Sequence, residues 1–164
     1  MTETYPKTAA WTTGDIVLTL IPVEDAPKEI PTLIYDTLYL NWNVDYEPTE
    51  GWYDGQKGGR FLVARKPDGT LLGVCRLMPV DPETPDGIQI RQVVVTAASQ
   101  GMGIGSKLMR ECEEIGRAEG AKELFLWSRK PAYLFYENLG YQYQTEPWYS
   151  PVTKMHHRTM TKAL

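Results

Sequence analysis

The first part of the chain contains two segments in which apolar residues recur at a regular spacing. In residues 16–20, isoleucine and leucine occupy every second position. This alternation predicts a half-buried strand, which ends at Pro22. In residues 30–38 the apolar residues recur at helical spacing instead, and Pro31 is tolerated because it falls in the first turn. A strand followed by a helix is therefore expected here.

Two apolar runs in the middle of the chain predict a β-hairpin. The runs are RFLVARK, residues 60–66, and TLLGVCRLMPV, residues 70–80. They flank a turn in which Pro67 fixes φ and Gly69 accepts a positive φ. The β-branched run IQIRQVVVT, residues 88–96, predicts a further strand that is buried on both faces.

The second half of the chain contains two helical patterns. Apolar residues between Ile104 and Ile115 recur three or four positions apart, and Gly120 supplies a C-terminal stop. A second helix is predicted to start near Pro131, which suits the first turn, and to be capped by Gly140.

Short apolar segments predict three more strands, over residues 123–127, 141–145 and 157–162. The resulting order is β-α-β-β-β-α-β-α-β-β. Strands mixed with βαβ crossovers predict a mixed α/β fold, with helices on both faces of a central twisted sheet. No repeat or linker divides the sequence, so we expect a single domain over residues 1–164.

Composition and charge exclude several classes of protein. The chain is 42% hydrophobic and 23% charged, which is typical of a globular protein, and its formal charge of −4 disfavours nucleic acid and anionic membranes as partners. The chain does not open with a basic segment followed by an apolar one, and no apolar run is long enough to span a bilayer, so a cytoplasmic location is expected. Cys75 and Cys112 are interpreted as buried thiols, since two cysteines make neither a disulfide framework nor a metal quartet.

The segment that indicates chemistry is SQGMGIGS, residues 99–106, between a predicted strand and a predicted helix. Its three glycines stand at alternate positions. Glycine lets a ligand approach the backbone closely, and the first amides of a helix are unsatisfied and carry a partial positive charge. The segment therefore predicts an anion site. The alternative is a tight turn that needs glycine only for its φ angles, which would explain one or two of the three.

Two common glycine-loop motifs do not fit this segment. A P-loop requires Gly-Lys-Ser/Thr, whereas Gly105 is followed by Ser106 and then Lys107. A dinucleotide-binding fingerprint is nearly matched, but it requires a ribose-binding acid at the end of the next strand. Glu123 begins that strand instead, and too little chain follows for a second βαβ half.

Two blocks in this order resemble the GNAT superfamily of acyl-CoA-dependent N-acetyltransferases. The family signature Arg/Gln-x-x-Gly-x-Gly/Ala is met by Gln100, Gly103 and Gly105. A second family block, an alanine followed by Phe-Tyr and a Leu-Gly-aromatic step, is met by PAYLFYENLGY, residues 131–141. The ending MHHRTMTKAL, residues 155–164, looks like a common GNAT final strand, with His157 and Met160 in register, and hints at the ElaA-like branch.

The resemblance implies a GNAT fold over a single N-acetyltransferase domain. It implies transfer of an acetyl group from acetyl-CoA, as co-substrate and without a metal, to a primary amine of a small molecule or peptide. The expected oligomeric state is a monomer or a homodimer. The residues implied to bind the CoA diphosphate are Gln100, Gly101, Met102, Gly103, Ile104, Gly105 and Ser106, and those implied to pair with the pantetheine arm are Val93, Val94 and Val95.

The resemblance implies that Tyr136 is the general acid that reprotonates the CoA thiol. The alternative for Tyr136 is a structural tyrosine of the core. The general base is not indicated by any motif, and the candidates are Asp45, Glu47, Gln92 and His157. His157 is interpreted primarily as structural, and two adjacent histidines without a third ligand make a poor metal site.

The family often has an asparagine where this sequence has Arg129, followed by Lys130. These two cations would either bind the cofactor's phosphates or be solvated. The loop over residues 41–59 would border the acceptor site. Its acids and aromatics would attract a cationic amine, or they are simply a solvated acidic loop with two aromatics in the core. The residues concerned are Trp42, Tyr46, Trp52, Tyr53, Asp45, Glu47, Glu50 and Asp54.

Two other classes of function remain open at this point. One is a non-catalytic acyl-CoA-binding module, a sensor or interaction domain that keeps the glycine loop without turnover. The other is a fragment of a dinucleotide-binding oxidoreductase, which NAD and not CoA would protect against unfolding.

Overall fold

The computed structural model describes residues 8–39, 58–151 and 153–164. In this part of the chain nine strands form one sheet in the order β1-β2-β3-β4-β5-β6-β9-β7, with β8 also paired to β9. The strands are β1 Ala9–Thr13, β2 Ile16–Pro22, β3 Arg60–Arg65, β4 Leu71–Leu77, β5 Gly87–Val95, β6 Glu123–Arg129, β7 Gln142–Tyr143, β8 Trp148–Ser150 and β9 Met155–Ala163. The helices are α1 Glu29–Ile34, which continues as a π-helical turn Tyr35–Tyr39, α2 Ile104–Ala118 and α3 Tyr133–Asn138. None of these helices is long and apolar enough to cross a membrane.

All ten predicted elements are present, and the mixed α/β fold class is confirmed. The sequence patterns missed two strands. One is β1, which has a single large apolar residue, Trp11, and so gives little alternation. It pairs with β2, and the Trp11 indole N–H donates to Glu111 Oε2 on α2 at 3.2 Å. The other, β8, is only three residues long and forms because it pairs with β9.

The helices cover both faces of the sheet, as predicted. On one face α2 and α3 pack over a cluster that includes Leu18, Leu62 and Leu108, while α1 packs on the other face through Ile30 and Ile34. Successive residues of a strand point to opposite faces, so β3, β4 and β5 each contribute to both clusters.

The interpretation of Cys75 and Cys112 as buried thiols is confirmed. Both are fully buried and free, and their Sγ atoms are 3.3 Å apart between β4 and α2. Burial raises the pKa of the Cys112 thiol.

Strands β5 and β6 separate halfway along their length. They are parallel and paired only from Gly87 opposite Glu123 to Ile90 opposite Leu126. Beyond that point β5 continues alongside β4, whereas β6 continues alongside β9. A β-bulge accompanies the separation, and within it Gln92 has a left-handed φ of 54°. Bulges bend the strand that contains them, so this one directs β5 away from β6.

The separation corrects the prediction that residues 88–96 are buried on both faces. Ile88, Ile90 and Val94 are buried, but the residues between Ile90 and Val94, and Val95 after them, are only partly buried. A strand that has no neighbour on one side has an open edge, along which its side chains are also less covered. Here β5 has lost one neighbour, and the open side of the strand borders a cleft.

Candidate active site

The cleft between the separated strands encloses a cavity of about 430 Å³. Its walls come from β5, β6 and β9, from α3, from the π-helical turn after α1, and from the segment around β8. A ligand crevice at the carboxyl end of strands is typical of α/β sheets, because loops and helix ends meet there. The described residues that line it are Leu38, Tyr39, Ile90, Arg91, Gln92, Val93, Leu126, Trp127, Ser128, Arg129, Ala132, Tyr136, Trp148, Ser150, Thr153 and His157.

The glycine segment joins β5 to α2. It starts with a 3-10 turn in which the Thr96 hydroxyl donates to Ser99 Oγ at 2.7 Å, and Ser99 is buried. Residues 100–103 are exposed, so other described protein atoms do not cover them. The first helical hydrogen bond of α2 runs from Lys107 N–H to Gly103 O at 3.0 Å. The amides of residues 104–106 precede that bond and are the donors that a helix leaves for an anion.

Backbone conformation or packing explains why each of the three positions is occupied by glycine. Gly101 and Gly103 have φ of 80° and 78°, which side chains rarely adopt, and a Cβ on either would have no described atom within 4 Å. Gly105 has an ordinary φ, but a Cβ there would lie 3.2 Å from Phe135 Cζ. The turn alternative thus accounts for two glycines and helix packing for the third. The open space above Gly101 and Gly103 is the additional feature that lets a ligand approach the amides.

The side chains of the other implied loop residues have different surroundings. Met102 is 60% exposed, whereas Ile104 is buried in the core with its amide at the helix start. Gln100 is exposed, and Ser106 is partly buried in the first turn of α2. None of these side chains brings a positive charge, so the electrostatic attraction of the segment comes from the backbone.

The three valines of β5 differ in where their backbone groups point. Val94 pairs with Val74 of β4, and its side chain is buried. Thr96 N–H donates to Leu72 O, also on β4, at 2.9 Å. Backbone groups of successive strand residues face opposite edges, so those of Val95 face the edge that β6 has left. Val93 follows the bulge and lines the cavity.

Tyr136 lies on α3, one residue after the phenylalanine that lies against the glycine segment. Its ring is 8% exposed, lines the cavity, and packs edge-on against Phe135 and Tyr141 at centroid distances of 4.9 and 5.8 Å. Phe135 in turn lies against Gly105. Burial raises the pKa of Tyr136, the nearby Cys75 and Cys112 thiols add to this, and Arg129 opposes it. The position of Tyr136 is therefore compatible with both interpretations, a general acid at the cleft and a structural tyrosine of the core.

His157 lies on β9 opposite Arg129 of β6 and also lines the cavity. It is 5% exposed, and its ring stacks on Trp148 with centroids 4.9 Å apart and planes 16° apart. Its Nε2 is 2.6 Å from Thr153 Oγ1. Burial lowers the pKa of His157, Arg129 and His156 lower it further, and the Trp127 backbone acts in the opposite sense.

Two further predicted residues meet at the π-helical turn. Gln92 Nε2 donates to Tyr39 OH at 3.1 Å. The Arg129 guanidinium donates to Leu38 O at 3.1 Å and lies 5.9 Å over the Tyr39 ring, and burial lowers its pKa. Arg129 is thus engaged with the protein at the cleft, whereas Lys130 is exposed.

The base candidates Asp45 and Glu47, and all but the last two residues of the proposed acceptor loop, fall in residues 40–57, outside the described residues. Sequence reasoning missed Tyr39, Trp148 and Thr153, which line the cavity. No local signal marks them, because tertiary packing alone brings them to β5 and β6. In the described ranges, no group of three histidine, cysteine or carboxylate side chains could hold a metal ion.

The sequence matches the family model of the Acetyltransferase (GNAT) family over residues 28–141. That match covers most of the chain, and it includes β5, the glycine segment and α3. The chain belongs to this family.

One curated relative and two solved structures are similar to this chain. The chain is 32% identical over 85 residues to "Glucosamine 6-phosphate N-acetyltransferase" of Trypanosoma brucei brucei, a match that covers 49% of this chain and 57% of that protein. It is 19% identical to Escherichia coli ElaA, with a TM-score of 0.72 over 90% of this chain and 99% of that one. A GNAT family acetyltransferase from Elizabethkingia anophelis with acetyl-CoA bound is 20% identical, with a TM-score of 0.64 over 90% and 98% of the two chains. At identities this low, the similarity to the two solved structures shows a shared fold alone. Assignment to the ElaA-like branch stays a prediction.

Proposed function

We propose that this protein transfers an acetyl group from acetyl-CoA to a primary amine of a small molecule or peptide, within one domain over residues 1–164. The observation that carries the proposal is the separation of β5 from β6, which leaves a cavity along β5, the strand that leads to the uncovered start of α2. The cavity has room for the reacting groups, and the helix start is suited to a diphosphate.

At the cofactor end, backbone groups would do most of the binding. The amides of Gly101, Gly103, Gly105 and Ser106 would donate to the CoA diphosphate, because the segment is open and lies at the positive end of the α2 dipole. The pantetheine arm would lie along β5 as an added strand and pair with the backbone of Val95, with Val93 and Val94 holding that edge in place.

At the transfer end, Tyr136 would supply a proton. Acetyl-CoA, when bound, supplies the thioester acetyl group and a thiol leaving group. A thiol leaves more readily than a thiolate, so a group that holds a proton near the sulfur lowers the barrier. The Tyr136 hydroxyl is protonated at neutral pH, as its pKa is raised from an ordinary value of about 10. Tyr136 would then recover a proton from solvent for the next turnover.

The test is thiol release from acetyl-CoA across a library of amines, peptides, polyamines and aminoglycosides. Glucosamine 6-phosphate belongs in the library because it is named in the curated relative. We expect thiol release that depends on one class of amine, with one acetylated amine formed per thiol. Tight CoA binding with no thiol release for any amine would overturn the proposed enzyme activity. It would favour the alternative, a non-catalytic acyl-CoA-binding module.

The dinucleotide alternative is tested by thermal unfolding with CoA and with NAD. A ligand that binds the folded state raises the midpoint of unfolding. We expect protection by CoA and none by NAD, and the reverse pattern would overturn the proposed use of the glycine segment.

A further inference from the structure

The acceptor of an acetyl group must lose a proton, and one pair of side chains in the cavity is arranged to take it. Thr153 and His157 both line the cavity, which Tyr136 also lines. The Thr153 Oγ1 to His157 Nε2 distance of 2.6 Å is that of a strong hydrogen bond. Stacking on Trp148 fixes the plane of the imidazole. A rigid orientation of this kind is what a base needs in order to act on a defined atom.

The two ring nitrogens of His157 have different surroundings. Nδ1 is buried and has no hydrogen-bond partner among the described residues, whereas Nε2 lies against the threonine hydroxyl. With the proton on Nδ1, Nε2 is an acceptor and Thr153 donates to it. The hydroxyl oxygen of Thr153 then has a lone pair to accept a proton from a group in the cavity.

We propose that Thr153 and His157 form the relay that removes the proton from the acceptor ammonium, an inference that rests on the proposed acetyl transfer. An N–H bond of the ammonium breaks and its proton goes to Thr153 Oγ1. The hydroxyl proton of Thr153 passes at the same time to His157 Nε2. The products are a neutral amine with a lone pair, an intact threonine and an imidazolium, which returns its proton to solvent.

The electrostatic surroundings of His157 keep its ring unprotonated before the reaction. Arg129, across from it on β6, and His156, next to it on β9, both disfavour the imidazolium, while β8 contributes the uncharged Trp148 and the adjoining turn contributes Thr153. The ring is therefore neutral, and able to accept a proton, in neutral solution. Gln92, the other described base candidate, has an amide that does not accept a proton at this pH. Among the described residues that line the cavity there is no carboxylate.

The experiment compares four variants with the wild type, using acetyl-CoA and the amine that gives the fastest thiol release in the library. His157→Gln keeps a hydrogen-bonding side chain but removes the base, and we expect kcat to fall by about 100-fold with unchanged affinity for acetyl-CoA. Thr153→Val should lose a similar factor, and Thr153→Ser should restore most of it. His156→Gln, at the exposed neighbouring position, should change kcat far less than His157→Gln, because His156 is the smallest of the causes that lower the pKa of His157.

A pH profile separates a relay from a structural role. Wild-type kcat should fall below the pKa of His157, which lies under its ordinary value of about 6.5. In His157→Gln this limb should be absent, and the residual rate should rise with pH as more free amine is present. Retention of both kcat and the acid limb in His157→Gln, or unchanged kcat in Thr153→Val, would overturn the relay.

The outcomes also distinguish this inference from the proposed function. Should Tyr136→Phe lose turnover while His157→Gln keeps it, acetyl transfer stands and the relay is wrong. Should the wild type release no thiol with any amine, acetyl transfer is overturned and the relay falls with it. Acetyl-CoA affinity, measured by calorimetry for every variant, identifies a loss of activity that comes from misfolding.

Discussion

The two ends of the cleft are built in different ways. At the glycine segment, consecutive residues present backbone amides at the start of one helix. At the transfer end, side chains from β5, β6, α3, β9 and two turns converge on one cavity. A backbone site depends on a few φ angles and on the absence of Cβ atoms, whereas a side-chain site depends on how distant segments pack. The ends should therefore respond differently to substitution.

Apart from the relay variants, the largest expected effect is at the side-chain end, for Tyr136→Phe. Loss of the hydroxyl removes the proton donor, so kcat should fall by more than about tenfold while the affinity for CoA stays nearly unchanged. Steady-state kinetics and calorimetry measure the two quantities.

Tyr141→Phe is the matched control for Tyr136→Phe. The Tyr141 ring packs on that of Tyr136, but its hydroxyl is buried without a hydrogen-bond partner among the described residues. Removing that hydroxyl should leave turnover intact and not lower stability. Equal turnover of the wild type and Tyr136→Phe would remove Tyr136 from the mechanism.

The backbone end is tested by adding a charge, with Ser106→Asp. A carboxylate in the first turn of α2 should stabilise the helix by roughly 0.3–1 kcal/mol through its dipole. The same carboxylate should repel the CoA diphosphate and weaken its binding by about tenfold or more. Thermal unfolding without ligand and CoA titration measure these opposite changes.

Ser106→Asn serves as the uncharged counterpart of this variant. It should leave both the melting temperature and the CoA affinity close to those of the wild type. If Ser106→Asp bound CoA as tightly as Ser106→Asn, the start of α2 would not be the diphosphate site.

A smaller effect is expected when alanine replaces Gly101 or Gly103. Positive φ costs a non-glycine residue about 1–2 kcal/mol, so each variant should lose roughly that much stability. Gly14→Ala, in the β1–β2 turn, is the control because Gly14 also has a positive φ and open space around it. All three should be destabilised alike in chemical denaturation, but only Gly101→Ala and Gly103→Ala should bind CoA more weakly. A comparable loss of affinity in Gly14→Ala would assign the effect to stability alone.

The smallest expected effect is on the pH dependence of stability. The pKa of His157 is lower in the folded protein than in the unfolded chain, so below about pH 6.5 the unfolded chain binds more protons. The contribution of His157 is therefore present above that pH and is lost as the pH falls toward the folded-state pKa. The melting temperature should drop less between pH 7.5 and 5.5 in His157→Gln than in the wild type. His156→Gln should keep most of the wild-type drop, because burial and not His156 is the main cause of the lowered pKa. Identical drops in all three proteins would contradict the lowered pKa of His157.

Local patterns predicted much of the fold because most elements here have a clear periodicity. The hairpin of β3 and β4, the helix α2 and the buried thiols all follow from spacing and turn residues within a few positions of one another. The two strands that were missed, β1 and β8, have little pattern of their own and exist because a neighbouring strand offers hydrogen bonds. The partial exposure of β5 was missed for a related reason, since burial on its second side depends on β6.

The sequence by itself determined the glycine segment, the helix that follows it and the position of Tyr136 on α3, because glycine conformation and helical spacing are properties of neighbouring residues. Only the tertiary structure decided that β5 and β6 separate after Ile90 and Leu126, and that Thr153, Trp148 and His157 meet Tyr39 and Tyr136 around one cavity. These residues are far apart in the chain, and their proximity depends on sheet order and on the bulge at Gln92. No local spacing encodes either of those features.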